Sequence, residues 1–152
     1  MTTRRIVTSF KAMALAAAAL VFGTATAVPA DDKEAKSLNG TWQVVSQWTD
    51  GKEDAIPKEG GDMVTLNDGK YTIKEGDKDI CKGTFKLNST KTPMSIDKTM
   101  SEGDDKGKTA LGIYKLTGDE VKVSWSRAGE TDRPAGFDAK SHRVTTLKRI
   151  KS

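Results

Sequence analysis

The sequence predicts an all-β chain: an eight-stranded antiparallel barrel with up-and-down strand order. Three observations carry that expectation. Beyond residue 38 the apolar residues come in short runs that alternate with polar ones, the period of a strand. Turn signals such as Asp50-Gly51, Asn67-Asp68-Gly69 and Thr117-Gly118-Asp119 separate those runs. No amphipathic helix of useful length intervenes, so neighbours in sequence become neighbours in the sheet. Eight strands close into a cylinder that is either filled by side chains or holds one small ligand.

The elements follow in order. Residues 41–48 form the first strand, with Trp42, Val44, Ser46 and Trp48 on one face by period two. Residues 52–62 are polar, contain Pro57 and Gly61, and read as a loop or a single helical turn. Strands over 63–66 and 70–75 flank Asp68-Gly69, a pair that tolerates the positive φ of a primed hairpin turn. The next strand covers 79–87, where Cys81 shares a face with Phe85 and Leu87 and reads as a small buried hydrophobe. Pro93 opens the fifth strand, with Met94 and Ile96 on one side. Residues 101–108 form a loop. Over 109–116, Leu111 and Ile113 compete with Tyr114 and Leu116 for the inner face, and Gly112 marks a bulge or a barrel corner. Val121, Val123 and Trp125 share a face over 120–126. A long loop, 127–142, leads to the last strand, 143–150.

Residues 1–27 read as a cleaved secretory leader. Arg4, Arg5 and Lys11 form its basic start, an alanine-rich apolar run covers 12–22, and Ala25-Thr26-Ala27 is the cleavage site, with cleavage after Ala30 as the alternative. The apolar run is too short to cross ~30 Å of hydrocarbon. The chain is therefore expected to be exported, to the periplasm or the medium, with no stable membrane insertion. Residues 28–37 then form a flexible tail, and 38–151 the barrel domain. The leader carries three of the 25 basic residues and none of the 21 acidic ones, so the mature chain has a net charge of +1. Its signs alternate, as in Asp77-Lys78-Asp79, which argues against a nucleic-acid partner. Cys81 is the sole cysteine, so no internal disulfide supports the fold and a single core must suffice in a monomer.

Gly40-Thr41-Trp42 opening the first of eight antiparallel strands resembles the lipocalin and lipocalin-like barrels. In those barrels the Trp plugs the closed end and a basic residue of the last strand packs across it. The resemblance implies Arg149 in that role, with Lys148 the alternative; a guanidinium over an indole contributes ~0.5–2 kcal/mol. Four ordered motifs are similar to the planctomycetal uncharacterised lipocalin-like domain. They are Leu38-x-Gly40-Thr41-Trp42-x-Val44-Val45, Gly83-Thr84-Phe85-Lys86-Leu87, Gly107-Lys108-Thr109-x-Leu111-Gly112-Ile113-Tyr114-x-Leu116, and Arg133-Pro134-x-x-Phe137. This likeness implies a fold and export from a bacterial cell, and no particular chemistry.

Nothing in the residues points to catalysis. His142 is the lone histidine, at the end of a polar loop, and no nucleophile elbow is present. Zinc lacks a Cys/His cluster, and Glu102-Gly103-Asp104-Asp105 has the wrong spacing for a calcium loop. No metal or cofactor is expected. The functional reading is a small apolar or amphipathic ligand inside the barrel, lined by Trp48, Tyr71, Phe85, Met94 and Trp125. Arg127 and Arg133 are rim candidates for a carboxylate or phosphate. Arg133-Pro134-x-x-Phe137 reads alternatively as a loop tether, with Phe137 over the mouth. The competing reading is a filled barrel that acts as a protein-interaction module.

Overall fold

A computed structural model describes residues 30–57 and 61–151. The leader and its cleavage site, and residues 28 and 29 of the tail, lie outside the described residues. Helix α1 (Ala30–Leu38) precedes nine strands: β1 (Gly40–Thr49), β2 (Lys52–Glu53), β3 (Met63–Asn67), β4 (Lys70–Glu75), β5 (Lys78–Asn88), β6 (Met94–Met100), β7 (Thr109–Thr117), β8 (Glu120–Trp125) and β9 (Arg143–Arg149). β1 and β3 to β9 pair with their neighbours, all antiparallel, and β1 pairs with β9 to close an eight-stranded up-and-down barrel. β2 adds a two-residue hairpin arm to β1.

Two elements depart from the sequence expectation. Residues 30–38 form a helix where a flexible tail is predicted. Its few apolar residues give no periodic signal, but Leu38 is fully buried and Ala35 packs against the core. A helix this short is stable only through such packing. Residues 52–53 pair with Thr49 and Trp48 instead of remaining loop.

The first strand departs in phase. Its pairing with β9 shifts between Val44 and Ser46, a β-bulge at Val45. Trp42 and Val44 face inward and are buried. Beyond the extra residue the alternation reverses: Gln47 and Thr49 face the interior, and Trp48 pairs with Val144 on the outer face, 38% exposed.

The interior of the barrel is its hydrophobic core, built from Leu66, Tyr71, Phe85, Leu87, Ile96, Tyr114, Val121, Val123 and Leu147 around Trp42 and Val44. Gly112, Tyr114 and Leu116 take the inner side of β7, pairing with inner residues of β8. Ile113 faces outward yet is 1% exposed. Ser95, Ser124 and Val144 neighbour it in register and are buried as well. The loop between β8 and β9 covers this outer row, with Pro134 buried. Arg133 pins it, donating to the Gly112 carbonyl at 2.7 Å and pairing with Asp97 at 2.6 Å. Phe137 lies beside Lys122 on the outer wall, not over the mouth.

Candidate functional site

One end of the barrel is sealed. Trp42 is fully buried and donates its indole N–H to the Leu38 carbonyl at 2.9 Å. The Arg149 guanidinium stacks 4.2 Å from the centre of that indole. It also donates to the carbonyls of Asn39 at 2.7 Å and Ser37 at 2.6 Å, capping the end of α1. Gly40 has φ 132°, and a Cβ there would lie 2.9 Å from Arg149 Nη1. Gly40, Trp42 and Arg149 thus form one clasp, and Arg149 rather than Lys148 occupies the basic position. Asp119 approaches Arg149 from outside at 3.6 Å. A hydrogen bond from Lys151, followed by the charges of Lys151 and Arg149, holds its carboxyl below the usual range.

Above the clasp the inner side chains leave a cavity that opens at the far end. A cavity of about 660 Å³ runs from Leu38 to the opposite end, where Asp50, Asp105, Arg127, Ser141, His142 and Arg143 ring its mouth. Its walls are mostly apolar and include Val44, Val64, Ile73, Phe85, Ile96 and Val123. At the mouth Asp54 accepts hydrogen bonds from Gln47 and Thr49, both at 2.8 Å. Those bonds, and then the charge of Arg143, hold the Asp54 carboxyl below its ordinary value.

The cavity wall carries one cation at depth. Lys98 is the inward residue of β6 between Ile96 and Met100. Its Nζ lies 4.6 Å from the centre of the Trp125 ring and 5.9 Å from that of Tyr71. The backbone makes room for both rings. Tyr71 of β4 lies across Gly83 of β5, where a Cβ would collide with the Thr99 carbonyl and sit 2.8 Å from the ring. Trp125 of β8 lies across Gly112 of β7, where a Cβ would sit 2.6 Å from Trp125 Cε3. That packing, and not a bulge or a corner, is why position 112 is glycine. The aromatics therefore reach toward Lys98 from both sides. Lys98 is half-buried and is one of the residues that line the cavity. Burial pushes its pKa down, and the charge of Arg143 adds to that, whereas Cys81 opposes it. Burial also raises the Tyr71 phenol, helped by its contact with Cys81 Sγ at 3.5 Å.

The cavity gathers Tyr71, Phe85, Trp125 and Arg127 from the sequence candidates. Trp48 is turned outward by the bulge. Arg133 is a tether on the outer wall, and its guanidinium is committed there. Met94 faces inward but is packed against the core. Cys81 is partly buried and faces the lumen. His142 bonds Ser141 Oγ at 3.0 Å at the mouth. Among the described residues no group of three or more His, Cys, Asp or Glu is placed to share a metal ion, and no helix is long and apolar enough to cross a membrane. Lys98 is the site residue that sequence reasoning missed. Its signal is present, since it continues the period-two series Met94, Ile96, Lys98, Met100.

Fold and site together define a lipocalin-like β-barrel, sealed at one end by an arginine-capped indole and hollow toward the other. Comparison of the chain with protein-family models, with curated proteins and with solved structures returns no match.

Proposed function

We propose that this chain is an exported barrel that binds a small, largely apolar molecule in its lumen, without turning it over. The observation that carries this reading is the cavity of about 660 Å³. It falls within the ~300–1,000 Å³ typical of small-molecule sites, which are mainly apolar with a few placed polar groups. Desolvating an apolar ligand against such walls supplies roughly 25 cal/mol per Å² buried. Export rests on the leader read from residues 1–27, and on the motif likeness to the planctomycetal lipocalin-like domain. The cavity weighs against a ligand-free interaction module, because that reading starts from a filled lumen.

The test is titration with N-phenyl-1-naphthylamine, a neutral apolar fluorophore, alongside native mass spectrometry of protein purified from its own host. Saturable binding at one site, quenching Trp125 and lost on filling the lumen with Val123→Trp, is the expected result. No binding by a folded protein, with no small molecule co-purifying, overturns it.

A further inference from the structure

Lys98 gives the lumen a polarity that a purely apolar ligand does not need. Its ammonium carries three N–H donors, yet no described residue offers it a hydrogen-bond acceptor or an ion pair. Its ring contacts engage the charge from the faces of Trp125 and Tyr71 but accept no conventional hydrogen bond. Of the groups facing it, Cys81 of β5 favours the charged form but is a thiol and not a fixed anion. Arg143, from β9, is a like charge. Of the three carboxylates of the cavity wall, Asp50 pairs with Arg127 at 3.4 Å and Asp105 with Lys108 at 2.8 Å, while burial and the like charge of Glu75 push the Asp62 pKa up, and none of the three forms an ion pair with Lys98. An unpaired cation within an apolar cavity is costly to a fold. A ligand that brings the missing charge removes that cost on binding.

We propose that Lys98 is the head-group site of the lumen, and that the ligand class is an amphiphile with a single anionic head, such as a medium-chain carboxylate. This deepens the lumen-binding reading and rests on it. The head sits against Lys98 between the Tyr71 and Trp125 rings, and the apolar tail lies along Val44, Val64, Phe85 and Leu147. Arg143, on the mouth side, adds positive potential along the entry route. A charge-assisted pair formed at that depth is screened far less than one at the surface. It therefore sets the choice of head group, while the walls supply most of the affinity.

The experiment uses three twelve-carbon amphiphiles that differ only at the head: dodecanoate, dodecanol and dodecylammonium. Each displaces N-phenyl-1-naphthylamine from the wild-type protein and from Lys98→Met, Lys98→Gln and Arg143→Gln. In the wild type dodecanoate binds at least about tenfold tighter than dodecanol, and dodecylammonium binds weakest. Lys98→Met keeps the apolar stem and loses the charge. It brings dodecanoate to within about threefold of dodecanol, read as the ratio of the two displacement constants within each variant. Lys98→Gln does the same and serves if the methionine variant does not fold. Equal affinity for dodecanoate and dodecanol in the wild type overturns the assignment. So does a preference that survives both Lys98 variants, or one abolished only by Arg143→Gln. In those outcomes the fluorophore still binds and the lumen reading stands. Failure of the fluorophore itself to bind removes both.

Discussion

Replacing Arg149 with methionine tests the closed end, and its effect follows from the contacts. The guanidinium lies 4.2 Å from the centre of a fully buried indole. For a desolvated pair that contact contributes about 1–2 kcal/mol. The bond to the part-buried Asn39 carbonyl, at 2.7 Å, is charge-assisted and contributes about 1.5–3 kcal/mol. The Ser37 carbonyl is exposed, so water replaces its bond. Asp119 is half exposed, and its pairing contributes ~0–1 kcal/mol. Methionine retains some of the packing over the indole. The expected loss is therefore about 3 kcal/mol, or roughly 12 °C in Tm at about 4 °C per kcal/mol for a domain near this size. Thermal unfolding followed by near-ultraviolet circular dichroism measures both the loss and the Trp42 environment. Arg149→Lys keeps the charge without the planar fork and recovers less than half. A loss under 1 kcal/mol for Arg149→Met, or full recovery with lysine, refutes the clasp as the element that holds α1 to the barrel.

Three further outcomes follow from the same geometry. Gly112→Ala places a methyl group against Trp125 and the Ser124 carbonyl, so it destabilises by about 1–3 kcal/mol and changes the Trp125 near-ultraviolet signal, readable in urea unfolding. Arg133→Met frees the loop between β8 and β9 from Gly112 and Asp97; limited proteolysis then cuts within 127–142 at least about tenfold faster, with ligand binding retained. Asp54 has a folded-state pKa below its unfolded value, so its contribution is present above the unfolded pKa and is lost as pH falls through the folded one. Asp54→Asn therefore lowers stability at pH 7 and flattens the acid limb of the Tm–pH curve, as differential scanning calorimetry over pH 2–7 checks.

The strands were legible because two local signals agree along most of the chain. Period-two alternation assigns the faces, and Asp-Gly and Gly-Asp pairs assign the ends. At Asp68-Gly69 the turn has φ 45° and 78°, the left-handed pair a primed hairpin needs. The phase of β1 was not legible beyond Val44. A bulge adds one residue to one strand, and its only local sign is the adjacent Val44-Val45. Reading through it carries Trp48 to the wrong face. Helix α1 was hidden for a different reason. What stabilises it is the Arg149 cap and the burial of Leu38, and both come from partners distant in sequence. The long loop was half legible: Arg133 reads as a tether, but nothing local reveals that Phe137 packs on the outer wall.

Lys98 shows how a site differs from a core in such a reading. A pattern search scores apolar residues and passes over a lysine, although in an alternating strand a lysine on the inner face is the informative exception. The glycines opposite Tyr71 and Trp125 belong to the same arrangement. Each removes a side chain from the inner wall so that an aromatic ring can lie flat and turn toward the amine. Two such glycines flanking one strand are an expensive way to fill space, since glycine weakens a strand. They are an economical way to shape a walled recess around a charge. The hollow barrel and the bracketed lysine are thus two aspects of one construction. Filling the lumen would bury Lys98 without a counter-ion, and removing Lys98 would leave two aromatic rings turned toward nothing that needs them.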